Sequence, residues 1–293
     1  MKRCLSLPGS RSLELGLRPI LMGIVNVTPD SFYGESRRLD PQEAAERALA
    51  LIGEGADILD FGAESTRPGS EAVDPEEEAR RLIPAIRHFR KMSDAILSVD
   101  TRRADVARAA LDEGADIIND IGALGDPGMA KAAAGAGAAV VLMHMRGAPA
   151  TMQAAPSYED CAVEVRDFLL AAAAKALEAG IRPDAIILDP GIGFGKQLEH
   201  NLDLLNRLHL LTGSGYPVLV GLSRKRFVGE LTGKPVEDRL PGSLGAACAS
   251  WIRGADIFRV HDVAETRDAL MVFDAATRAG QEAGESLRRV HGL

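Results

Sequence analysis

The chain has 293 residues, 46% hydrophobic and 26% charged, which suits one large or two ordinary globular domains. A formal net charge of −8 and a pI near 5.4, with no basic block, argue against nucleic acid or an anionic membrane as partner. No apolar stretch reaches the ~20 residues of a membrane span, and Cys4, Cys161 and Cys248 have neither metal-ligand nor disulfide spacing, so a reducing cytoplasm is expected.

Residues 1–17 read as an N-terminal extension without a signal peptide, because Pro8 and Gly9 interrupt any apolar run. Residues 18–280 read as one domain, with no linker or composition break, and 281–293 as a tail, fraying from Arg278. Within that domain eight short apolar runs each end on a polar residue and lead into a helical pattern: Ile20–Val25, Asp57–Phe61, Ala95–Val99, Asp116–Ile118, Ala139–Met143, Ala185–Leu188, Pro217–Leu222 and Asp256–Phe258. The residues just past them are Asn26, Glu64, Asp100, Asn119, His144, Asp189, Ser223 and the pair Arg259/His261. Eight alternating βα units predict an α/β fold, a single (β/α)8 TIM barrel whose C-terminal strand ends share one pocket.

Caps and periodicity place helices at Pro41–Gly53, from Asp74-Pro75 onward, and at roughly 104–113, 127–136, 158–179, 198–212, 243–253 and 262–279. Acidic Glu76–Glu78 suit the positive end of the second helix dipole. Gly-Ala-Asp-Ile occurs at 55–58, 114–117 and 254–257, each time closing a helical pattern and opening an apolar run. Its glycine suits a left-handed helix terminus, so the cassette marks a repeated βα architecture. Thr28–Asp40 and Gly62–Asp74 exceed the ~2–6 residues usual for such connections. They predict long βα loops 1 and 2 over the pocket, and His144–Ser157 is similar.

Asp100, Asn119 and Asp189 follow apolar runs, where unpaired polar groups are costly. Helix capping could account for one of them. Three at one barrel mouth suit a ring edge offering several N–H donors, a metal, or acid–base work. Asp189-Pro-Gly-Ile-Gly-Phe-Gly-Lys196 is glycine-rich, but Pro190 and Gln197 break a P-loop and Lys196 breaks the dinucleotide pattern. A glycine turn beside a flat ligand fits better, with Phe194 next to it. Alternation points Arg259 and His261 to one side. With Arg67 and Lys225 they predict a cationic corner near strands seven and eight, where many barrels bind phosphate. Neutral Asn26 could donate one oxygen to Mg²⁺ held mostly by phosphate. There is no His-Glu-x-x-His, no Cys/His cluster and no Gly-x-Ser-x-Gly elbow.

Seven ordered segments carry a resemblance: Ile24-Val-Asn-Val-Thr-Pro-Asp-Ser-Phe32, Glu64-Ser-Thr-Arg-Pro-Gly69, Ser98-Val-Asp-Thr101, Ile118-Asn-Asp120, Asp189–Lys196, Ser223-Arg-Lys225 and Arg259-Val-His-Asp-Val263. Over roughly residues 18–275 the chain resembles the dihydropteroate synthase family. The resemblance implies a TIM barrel, usually homodimeric. It implies condensation of 6-hydroxymethyl-7,8-dihydropterin diphosphate with p-aminobenzoate to dihydropteroate and pyrophosphate.

By motif position, Asp100, Asn119, Asp189 and Lys225 would hydrogen-bond the pterin, Met143, Phe194 and Gly221 would line its slot, and Arg259 would pack on its face. Asn26 would ligate Mg²⁺, while Arg67, Arg259 and His261 would hold the diphosphate. Thr66, Pro68 and Ser223 would frame the p-aminobenzoate site, where sulfonamides compete, with Asp30 and Phe32 on the first loop. The family commonly has Ser-Asp-Gly-Gly where this chain has Tyr33-Gly34-Glu35-Ser36, and Gly where it has Ala63. A stiffer, more acidic first loop is the expected consequence. Two other functions share parts of this pattern. A pterin-barrel methyltransferase serving a corrinoid would use the Asp/Asn/Asp slot but has no need of the Arg/His clamp. A pterin-binding paralogue without turnover would fit the altered loop.

Overall fold

The computed structural model describes residues 3–27, 41–64, 73–147, 152 and 156–291, with side chains described as far as 277. An N-terminal hairpin comes first, β1 (Arg3–Ser6) antiparallel to β2 (Ser12–Leu15). Then follow β3 (Ile20–Asn26), α1 (Pro41–Glu54), β4 (Ile58–Gly62), α2 (Pro75–Arg90), β5 (Ile96–Asp100), α3 (Ala104–Asp112), β6 (Ile117–Asp120), α4 (Met129–Ala136), β7 (Ala139–Met143), α5 (Cys161–Glu178) and β8 (Ile186–Asp189). The last part holds α6 (Leu198–Asn206), α7 (His209–Thr212), β9 (Leu219–Gly221), α8 (Arg226–Thr232), α9 (Leu240–Trp251), β10 (Ile257–Val260) and α10 (Val263–His291).

The eight strands β3–β10 pair in parallel in the order β8-β7-β6-β5-β4-β3-β10-β9. A parallel bridge between Leu188 and Val218 brings β9 back to β8, so the sheet closes. Each strand is filled with Ile, Leu and Val because both of its faces are covered, one by the barrel interior and one by helices. The (β/α)8 barrel read from the sequence is thus the fold.

The Gly-Ala-Asp-Ile cassette acts at the bottom of the barrel. Its glycines have φ of +107°, +94° and +90°, left-handed turns that end the preceding helices. Each aspartate then accepts a neighbouring strand's N–H: Asp57 from Leu21 at 2.9 Å, Asp116 from Leu97 at 3.0 Å and Asp256 from Val218 at 3.0 Å. Each also receives an arginine from the N-terminal segment, namely Arg18, Arg11 and Arg3. The N-terminal segment therefore clamps the barrel floor by charge, while Leu5, Leu7 and Leu15 of its hairpin are buried in the core.

Several element boundaries differ from the sequence reading. The hairpin in residues 3–15 was not expected, α6 and α7 split one expected helix, and α8 is additional. α10 runs to His291, past the expected end at 279. Glu76, Glu77 and Glu78 stand in the first turn of α2 as expected, but Glu78 has a further partner. It is buried and paired with Arg103.

Candidate active site

The strand ends do converge. Asp100 ends β5, Asn119 lies in β6, Met143 ends β7, Asp189 ends β8, Gly221 ends β9 and Arg259 lies in β10, all at the C-terminal mouth. Asn26 ends β3 and is exposed there. Asp30, Phe32, Thr66, Arg67 and Pro68, like the Tyr33–Ser36 stretch, lie outside the described residues.

Arg259 is the hub. Its Nε donates to Asp60 Oδ2 at 2.6 Å and its Nη2 to Asp100 Oδ2 at 2.8 Å. Asn119 Nδ2 donates to the same Asp60 oxygen at 3.1 Å. Asp60 was absent from the sequence reading; its only signal is a carboxylate at an inward position of an otherwise apolar strand. The expected cationic corner is corrected in one respect. Arg259 is neutralised by two carboxylates rather than exposed as free positive charge, because its neighbours on β4 and β5 are acidic. His261 turns to Ser223 instead, with Nδ1 and Oγ 3.0 Å apart.

Burial raises the Asp100 carboxyl to about 7, against the lowering pull of Arg259 and with Asp60 adding to the rise. Burial also raises Asp189, although the Gly191 N–H donated to its Oδ1 at 2.7 Å pulls it down. The Lys225 ammonium is lowered by burial to about 8, with Asp189 opposing the fall, and its Nζ lies 4.0 Å from the centre of the Phe194 ring. Burial alone would lower Arg259, but Asp60 and Asp100 hold it above its ordinary value.

The glycine turn after Asp189 is pinned from beneath. Lys196 Nζ reaches His144 Nδ1 at 2.9 Å, Gly191 O at 2.9 Å and Phe194 O at 3.0 Å. Burial, then Lys196, lowers His144 to about 3, so its neutral ring can accept a hydrogen bond from the Lys196 Nζ–H at Nδ1. His144 thereby has a structural task, which the sequence had not suggested. Gly191 has φ +64°, and a Cβ there would sit 1.9 Å from His144 O, so no side chain fits this crossing. Glu64 is structural as well, bound by Arg102 and Arg103.

The residues 22–261 match the model of the pterin binding enzyme family. A dihydropteroate synthase of Escherichia coli K12 is 44% identical over 268 residues, covering 92% of this chain and 95% of that protein. The chain belongs to the dihydropteroate synthase family. Among solved structures of that family, the Xanthomonas albilineans enzyme with 4-aminobenzoic acid superposes with a TM-score of 0.87 at 46% identity, covering 94% of this chain and 99% of that one. The same organism's synthase in complex with 7,8-dihydropteroate gives 0.81 at 45% identity, covering 90% and 96%. Membership in a synthase family rather than a methyltransferase one agrees with the presence of an Arg/His pair beside the carboxylate slot.

Proposed function

We propose that this barrel mouth grips a pterin by its edge and a diphosphate by its cations, and joins the pterin to p-aminobenzoate. As a dihydropteroate synthase the chain is a transferase. The C–O bond between the pterin methylene and the diphosphate breaks, the aniline nitrogen bonds to that carbon, and pyrophosphate and one proton leave. The observation that carries this reading is the convergence of Asp100, Asn119, Asp189 and Lys225 around Arg259 at one mouth.

Ionised Asp100 and Asp189 would accept N–H bonds from the pterin edge, Asn119 and Lys225 would complete them, and Met143, Phe194 and Gly221 would shape the slot. Arg259 and His261, with Arg67, would receive the diphosphate as charge builds on it. Thr66, Pro68 and Ser223 would frame p-aminobenzoate, with Asp30 and Phe32 beside them. No strong general base is needed, because the arylamine nitrogen attacks an electron-poor carbon.

Among the described residues no three His, Cys, Asp or Glu side chains gather as a metal site. Asn26 offers one neutral oxygen, a donor set suited to Mg²⁺ that brings phosphate and water ligands with it. When bound, Mg²⁺ would neutralise charge on the departing diphosphate. Mass-spectrometric detection of 7,8-dihydropteroate from the two substrates, dependent on Mg²⁺, tests this reading. Absence of the product, or full yield after chelation, would contradict it.

The pH dependence follows from the two shifted groups. Asp100 must lose its proton and Lys225 must keep it, so kcat/KM for the pterin diphosphate should rise through about 7 and fall beyond about 8. A profile flat across neutrality would contradict both roles.

No described helix is long and apolar enough to cross a membrane, and the three cysteines are free; both support a cytoplasmic location. Met271 and Val272 on α10 are 61% and 71% exposed, and Ile252, which follows the α9 helix packed on α10, is exposed as well. Such a patch suits a second copy of the chain. Sedimentation equilibrium of Val272→Glu against the parent chain tests that homodimer, and an unchanged mass would contradict it.

A further inference from the structure

We infer that Asp60 is a positioning residue, one that never touches substrate yet sets the aim of Arg259 and couples the diphosphate clamp to the pterin slot; this rests on the reading of the site above. Asp60 stands in β4 with Ile58 and Gly62 on the same face, and it is 0% exposed. Register places it beside Ser98 of β5 and Ile24 of β3, so it lies within the barrel below the mouth.

A carboxylate there is expensive. Removing it from water costs several kcal/mol even after relaxation, and its Oδ1 has no hydrogen-bond donor among the described residues. What it does have is one oxygen, Oδ2, shared between two site residues: Arg259 Nε at 2.6 Å and Asn119 Nδ2 at 3.1 Å. A fold needing only an ion partner for a partly buried arginine already has Asp100 at 2.8 Å.

The second carboxylate does something the first cannot. Asp100 is assigned to the pterin edge, so the N–H donors of a bound ring would compete with Arg259 Nη2 for its carboxylate and draw charge away from that bond. Asp60 is out of reach of the ring and keeps hold of Nε. The guanidinium is then fixed at one end and released at the other, so its Nη groups turn to the ring face and the diphosphate. Through Asn119 the same oxygen ties that movement to the filling of the pterin edge.

Kinetics of Asp60→Asn, Arg259→Ala and the double variant test the inference. Turnover of the parent chain tests the reading of the site separately, so the two can fail independently. In the parent background Asp60→Asn should lower kcat/KM for the pterin diphosphate on the order of ten- to a hundredfold. In the Arg259→Ala background it should change kcat/KM by less than about twofold and raise Tm, because a buried carboxylate without its cation has been removed. A merely structural carboxylate would lose stability and activity additively in both backgrounds, and that result would overturn the inference.

The acidic limb of the pH profile should also move to lower pH in Asp60→Asn. The charges facing Asp100 are Asp60 on β4, Glu64 after it, Glu78 on α2, Arg259 on β10 and Lys225 before α8. Removing one negative neighbour eases the ionisation of Asp100, and an unmoved limb would count against the inference. Should Asp60→Asn fail to fold, Arg259→Lys carries the test. Lysine keeps the charge but has no Nε–H fork for Asp60 to hold, so diphosphate affinity must still fall about tenfold or more; unchanged affinity would overturn the inference.

Discussion

Arg259→Ala is expected to be the most damaging single change, in two measurable ways. Stability should fall by about 3–5 kcal/mol, because Asp60 is left charged and buried without its cation. Affinity should fall far more for pterin diphosphate than for the bare pterin, because only the former presents an anion. Chemical denaturation gives the first quantity and calorimetry with the two ligands gives the second. Equal losses for both ligands would argue against an anion site, and unchanged stability would argue against the buried pairing.

Asp189→Asn should remove most pterin affinity while leaving the fold intact. The amide oxygen can still take the Gly191 N–H that Asp189 Oδ1 accepts at 2.7 Å, so the turn survives. The other terminus changes from acceptor to donor and confronts the N–H groups of the ring edge. Each lost charge-assisted bond contributes about 1.5–3 kcal/mol, so two lost together weaken binding by a hundredfold or more, on the order of 3 kcal/mol. Because burial already raises this carboxyl, the uncharged amide should not destabilise the chain. Unchanged affinity by calorimetry would contradict the assigned role.

These expectations rest on parts of the molecule that were legible to different degrees. The barrel was legible because its signal is local and repeated. Each apolar run marks a strand covered on both faces, and each Gly-Ala-Asp-Ile marks a helix end followed by a strand start. The N-terminal hairpin was not, because Pro8 and Gly9, which break an apolar run, are also what a tight turn requires. Helix α8 was missed because seven residues carry too little periodicity to stand out from the strand end before them.

In the site, the strand-end residues were legible from the change of apolar to polar at a fixed place in each unit. Asp60 was not. It interrupts a strand from within, and its partner Arg259 is 199 residues away. Lys196 was recognised as the end of a glycine turn, but its grip on His144 spans 52 residues and leaves no local trace. The seemingly separate ring-edge and anion groups proved to be joined, since Asp100 and Arg259 share a bond that alternation within single strands cannot reveal.

On this mechanism one pocket holds a flat ring and its leaving group together and exchanges the second for an arylamine. Steady-state pyrophosphate release at micromolar enzyme, with pterin diphosphate, Mg²⁺ and p-aminobenzoate, measures that exchange. One pyrophosphate for each dihydropteroate formed is the predicted result. No release above the enzyme-free rate would contradict it and leave a barrel that binds pterin without turning it over.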